Sequence, residues 1–230
     1  MTNQGSDPAH DASGHRSRLR RRLIEGGPEA LQDHELVEYL LALAIPRRDT
    51  KPMARRLLRE FGGLGRLLSA DPAALARFEL SEGVIAALKI AEASALRLLR
   101  TEASGSDILS NWQALTHYLQ ADMAHRSVER VRILHLNSKN ILIRDELVSE
   151  GTIDQAAVHV REIVTRALQL GSAALIVVHN HPSGDPEPSR QDIALTRELI
   201  SAAKPLGITV HDHIIVAARG QTSLRSMGLI

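Results

Sequence analysis

The residue types able to do chemistry crowd into one run, HNHPSGDPEPSRQD, from His179 to Asp192. His179 and His181 stand two apart, the period at which an extended chain returns side chains to one side, so both imidazoles can face a single ion. Pro182, Gly184, Pro186 and Pro188 stiffen the stretch that follows, and Asp192 falls in the first turn of the next predicted helix, from which its carboxylate can be brought back toward the histidines. Two imidazole nitrogens and one carboxylate leave a fourth position open. That is the arrangement of a catalytic zinc, whose bound water is acidified to a pKa of about 7 and becomes a nucleophile. The chain has no cysteine, which excludes thiolate zinc sites and disulfides, so any metal must be held by nitrogen and oxygen. Simpler roles compete for the same residues. Ser189 with Asp192 three positions on also fits a helix capping box, and a histidine pair at a strand end can merely face solvent.

The elements that must position these residues follow from hydrophobic patterning. Ala173 to Val178 is continuously apolar, as suits a central strand buried on both faces, and it stops at His179. Ser189 caps a helix reaching about Ala203; Pro205 and Gly207 end it before a strand from Ile208 to Ala217. Upstream, Val128 to Leu136 and Ile141 to Val148 read as strands joined by a hairpin at Asn137 to Asn140, and a helix runs from about Gln155 to Leu170, closed by Gly171. The order β-β-α-β-α-β gives an α/β or α+β fold with a mixed sheet. The first half differs in texture. Helical spacing over 16–25, 34–44, 52–60 and 84–100, interrupted by Gly26-Gly27-Pro28, Pro46, Gly62-Gly63 and Asp71-Pro72, describes a small all-helical domain. Residues 1–14 are polar and without apolar periodicity, which predicts disorder, and Thr101 to Asp107 reads as a linker. Three parts result: a tail at 1–14, a helical domain at 15–101 and an α/β domain at 108–230.

Composition narrows the function. Aromatic residues make up 2% of the 230, too few for a surface that stacks single-stranded bases. The longest apolar runs are far short of the roughly 20 residues that cross a bilayer, and the N-terminus lacks an apolar signal core, so the expectation is a soluble cytoplasmic protein with no membrane contact. Residues 1–100 hold 16 Lys and Arg against 13 Asp and Glu, whereas 101–230 hold 12 against 14. The cluster Arg16, Arg18, Arg20, Arg21 and Arg22 could touch phosphates, but a solvated basic segment entering a helix is the simpler account.

His179, His181, Ser189 and Asp192 match H-x-H-x7-S-x2-D, the signature of the JAMM metallopeptidases, also called MPN or JAB. With Arg161-Glu162 and Asp212-His213-Ile214-Ile215-Val216, the run resembles the bacterial RadC family, long labelled DNA repair proteins, and the resemblance covers nearly the whole chain. It implies an MPN fold for about 108–230, a mixed sheet flanked by helices of the cytidine deaminase-like kind. It further implies zinc on His179, His181 and Asp192, with Ser189 hydrogen-bonding near the metal. The letters His179-Asn180-His181 also spell the HNH nucleases, but in that motif the residues lie far apart in sequence, so the tripeptide is a false guide.

A JAMM enzyme also needs a glutamate as general base from the strand before the first motif helix, and Glu129 in ERVRILHL matches that place better than Glu146 in the following strand or Glu162 in the helix. His211 and His213, two apart, share one face of the last strand and are expected to be structural or supporting rather than ligands. The N-terminal half is also similar to RadC proteins, but the helix-hairpin-helix turn there is degenerate: Glu79 to Val84 carries two acids and one glycine, which would repel phosphate. The reading is therefore a zinc hydrolase acting on a protein or peptide substrate, with at most weak DNA contact through the N-terminal domain. The competing reading is a non-enzymatic DNA-repair or binding module that keeps the fold. Oligomeric state is not legible.

Overall fold

Apolar residues recurring every three or four positions wind the first hundred residues into helices. They are α1 (Pro8–Gly26), α2 (Asp33–Ala44), α3 (Lys51–Phe61), α4 (Leu64–Ser69), α5 (Pro72–Ala76) and α6 (Glu82–Ser104). A computed structural model describes residues 8–46, 48–104, 107–151 and 159–230. The chain forms two compact units that divide at Ser94 and Ala95, inside α6. Val37, Leu41, Ala54, Leu57, Leu67, Leu75 and Leu88 make the core of the first.

Three expectations change here. α1 begins at Pro8, inside the stretch read as a tail, of which residues 1–7 lie outside the described residues. The short helices α4 and α5 were not anticipated, because five or six residues are too few to display a helical period. α6 continues to Ser104 through most of the expected linker, since Ala103 is buried in the core of the second unit and Leu99 packs against that core. The arginine cluster is partly committed to structure: Arg16 donates to the carbonyl oxygens of Ile45 and Arg48, and Arg22 pairs with Glu35 at 2.6 Å. At the degenerate hairpin, Glu79 takes a left-handed φ of 58° and Glu82 opens α6, where an acid suits the helix dipole.

The second unit is a three-layer α/β structure. A sheet of order β2-β1-β3-β4-β5 comprises β1 (Arg130–Leu136), β2 (Leu142–Glu150), β3 (Ala174–His181), β4 (Thr209–Ala217) and β5 (Gly220–Ser223). Only the β3 and β4 pairing is parallel. Strand alternation sorts the side chains: Leu134, Ile176, Val178, Ile214 and Val216 face α7 (Trp112–Met123), while Ile133, Leu175, Val177 and Val210 face α8 (Val160–Leu170) and α9 (Arg190–Ala203). α7 and β5 are additions to the predicted order. Of the expected helix from Gln155, residues 155–158 lie outside the described ones. No helix among the described residues is long and apolar enough to cross a membrane.

On the α7 face, a polar knot replaces part of the apolar packing. Arg132 of β1 donates to both oxygens of Asp145 at 2.8 and 2.6 Å, to the Tyr118 hydroxyl at 3.2 Å and to Asp122. The Asp145 side chain is wholly buried. Burial pushes the Tyr118 hydroxyl far up, and Asp145 beside it adds to the effect. Removing the guanidinium strands a buried carboxylate, so Arg132→Ala is expected to lower the unfolding free energy by about 3–5 kcal/mol in urea titrations. A loss below about 1 kcal/mol would mean that the knot behaves as a solvent-screened surface pair.

Candidate metal centre

β3 carries the apolar alternation past its last hydrophobic residue, so the parity that sends Leu175 and Val177 toward α8 and α9 sends His179 and His181 the same way. The strand does not stop at His179 as expected. It runs to His181 because β4 stays paired alongside it, His179 against Ile215 and His181 against Ala217. The loop then turns back. Gly184 takes a φ of 85°, which L side chains rarely adopt, and the Arg219 backbone and side chain both donate to its carbonyl oxygen at 3.2 and 3.1 Å.

The capping box expected at Ser189 is present, and it also aims the carboxylate. The Ser189 backbone N–H donates to Asp192 Oδ2 at 2.7 Å while the Asp192 N–H donates to Ser189 Oγ at 3.1 Å. With Oδ2 held at the cap, Oδ1 lies 3.4 Å from His179 Nε2, and Oδ2 itself is 3.8 Å from His181 Nε2. The two imidazole Nε2 atoms are 2.8 Å apart. Ligand atoms of His179, His181 and Asp192 thus gather within 4.8 Å of one another, the one such group among the described residues. The far side of each ring is engaged elsewhere: His181 Nδ1 is 2.8 Å from the Asp185 carbonyl oxygen, and His179 Nδ1 is 2.7 Å from His213 Nε2.

Burial sets the charges. Desolvation pushes His179 down to about 4 and His213 down to about 3, so both are neutral near pH 7. His181 is raised, chiefly by its contact with Asp192. Burial works against the ionised Asp192, but His181, His179 and the Ser189 cap together hold it well below the usual carboxylate range. The cluster therefore presents a persistent anion beside two nitrogen donors.

Glu129 lies immediately before β1. In the β1–β3 ladder the last pair is Val131 with His179, and Glu129 lies two residues before Val131. It has the parity of Val131 and Ile133 and thus belongs to the same face as the histidines. Its carboxyl feels both His181 and Asp192, and half-burial raises its pKa, with Asp192 adding to the rise and His181 opposing it. The two alternative glutamates stand elsewhere. Glu146 accepts from Arg166 at 2.9 Å, and with Glu162 and His135 it lines a separate cavity of about 660 Å³ between β2 and α8.

Two residues gain roles that the sequence reading did not give them. Asn180, 1% exposed, has the opposite parity to the histidines. Its side-chain oxygen accepts from the Arg130 N–H at 2.9 Å and its amide donates to the Val128 carbonyl oxygen at 3.1 Å, clamping the backbone on both sides of Glu129. A polar residue at a position whose neighbours two back, Val178 and Ile176, are core residues was the available signal. Thr196, one helical turn after Asp192, reaches His213 Nδ1 at 2.6 Å. His211 and His213 do not share a face as expected. The register steps from Leu175 opposite Val210 to Ile176 opposite Asp212, so His211 is the extra residue of a β-bulge; it turns to Asn140 at 2.8 Å while His213 goes to His179.

The description "RadC-like JAB domain" matches residues 109–229. A UPF0758 protein of Rhodobacter capsulatus is 48% identical over 213 residues, covering 92% of this chain and 100% of the relative. A UPF0758 protein of Ruegeria pomeroyi is 46% identical over 217 residues, covering 94% and 97%. With a mixed five-stranded sheet between helices, a JAB-domain match across its second unit and near-full-length relatives, the chain belongs to the RadC family.

Proposed function

We propose that this chain is a zinc-dependent hydrolase of the JAMM type that cleaves a peptide or isopeptide bond. The observation that carries the reading is the convergence of His179 Nε2, His181 Nε2 and an Asp192 carboxylate oxygen, with the other ring nitrogen of each histidine already engaged. Two imidazole Nε2 atoms 2.8 Å apart beside an anion need a proton or a cation between them, and zinc would supply the cation. The donor set fits zinc, whose borderline softness suits nitrogen with oxygen and whose catalytic sites keep a position open.

Zinc, when bound, acidifies a water and makes it a nucleophile at neutral pH. The chain's own residues do the rest. Glu129, on the histidine face with a raised pKa, would accept a proton from the attacking water and pass it to the leaving amine. The Ser189 oxygen accepts the N-cap hydrogen bond, so its hydroxyl proton remains to donate to the carbonyl oxygen of the substrate as negative charge builds there. His179, His181 and Asp192 would hold the ion, and the Asn180 clamp fixes the backbone on both sides of Glu129.

One zinc per chain is expected by elemental analysis of the purified protein, lost in the double variant His179→Ala, His181→Ala. A protein that cannot take up zinc would remove the metal reading. Glu129→Gln is expected to retain zinc and fold while turnover on a peptide or isopeptide substrate falls by about 10²–10⁴-fold. Full zinc occupancy with no hydrolysis in the native protein would instead support a binding module that keeps the fold. DNA binding through the N-terminal unit is proposed to be weak, since Arg16 and Arg22 are engaged and the hairpin is acidic. It should fade steeply as salt is raised, whereas tight, sequence-selective binding at ~200 mM salt in a gel-shift assay would contradict this.

A further inference from the structure

Thr196 Oγ1 lies 2.6 Å from the backbone carbonyl oxygen of Asp192 and 2.6 Å from His213 Nδ1. A carbonyl oxygen has no proton to give, so at that distance the single hydroxyl proton of Thr196 points at Asp192. The threonine oxygen is then an acceptor toward His213, which must carry its proton on Nδ1. A neutral imidazole with Nδ1–H has a bare Nε2, so His213 Nε2 accepts from His179 across 2.7 Å, and His179 carries its own proton on Nδ1. One direction of donation runs through the whole chain of contacts, and all three side chains are 2% exposed or less.

We infer that Thr196 and His213 are positioning residues that lock His179 in the Nδ1–H tautomer, leaving Nε2 unprotonated and turned toward Asp192 and His181. The lock begins and ends on one residue. The Asp192 backbone oxygen starts it, and the Asp192 carboxylate is what His179 Nε2 finally faces. α9 therefore sets the tautomer of a β3 histidine and supplies the neighbouring ligand in a single placement. The inference rests on the zinc reading for its purpose, but the tautomer is a property of the metal-free chain.

The full chain, labelled with ¹⁵N in histidine and freed of metal, reports each tautomer directly through two-bond nitrogen–proton couplings. Nδ1–H is expected at both His179 and His213 in the native protein and in Thr196→Ser, which keeps the hydroxyl. Thr196→Val, close in shape, deprives His213 Nδ1 of its acceptor, and His213 and His179 are expected to shift toward Nε2–H together. Zinc affinity, measured by chelator competition, should then fall about 10–100-fold in Thr196→Val and remain native-like in Thr196→Ser. Nε2–H at His179 in the native protein, or unchanged tautomers in Thr196→Val, would overturn the lock even if other variants fail to fold. Native zinc binding that Thr196→Val leaves unaltered would overturn the positioning role alone. A native protein that binds no zinc would bring down the metal reading and that role with it.

Discussion

Everything in the candidate site depends on β3 being buried on both faces as far as Asn180, one residue short of its end. A strand in that position has no solvent to satisfy its polar side chains, so each one must find a partner from a neighbouring element or impose a cost of about 1–3 kcal/mol. His179 and Asn180 are 2% and 1% exposed, and each is satisfied. The alternation that divides the two apolar layers also divides their partners. His179 looks toward α9 and β4, and Asn180 looks along β1. A single strand thereby fixes candidate ligands on one face and grips the segment of the general-base candidate from the other.

The supporting shell follows the same logic at one remove. His213 reaches His179 only because the bulge at His211 shifts the parity of β4 relative to β3. Asp192 aims a carboxylate oxygen inward only because its other oxygen is held by the Ser189 N–H. The loop from Pro182 to Pro188 is tied by Arg219 to the turn beyond β4, so the distance between strand end and helix start is set by the sheet. His179 and His213 remain neutral through burial, the aspartate remains ionised against burial through His181, His179 and the Ser189 cap, and the glutamate sits where desolvation makes it a better proton acceptor.

Much of this was legible from the chain. The two-residue spacing of His179 and His181, the capping pattern at Ser189 and the apolar run from Ala173 carried both the local elements and the convergence of three candidate ligands. Glu129 was preferred over Glu146 by its place at the head of a strand, and its carboxyl feels both His181 and Asp192. What escaped was whatever depends on an irregularity or on a partner far away in sequence. A bulge changes which of two alternating histidines faces inward and leaves no local signal. The Asn180 clamp joins residues 50 positions apart. α7 was overlooked because its apolar residues follow directly on a polar stretch, and Ala103 reads as a linker residue until the core it enters is known.

The separations along the chain have a consequence for how the unit matures. The three candidate ligands lie within one stretch of 14 residues, His179 to Asp192, and can meet by closing a short loop. The glutamate's anchor is 50 residues upstream of Asn180 and His213 is 34 residues downstream of His179, so both arrive only as the sheet closes. Gathering the three candidate ligands and placing Glu129 and His213 around them are thus steps of different range along the chain, the first local and the second set by closure of the sheet.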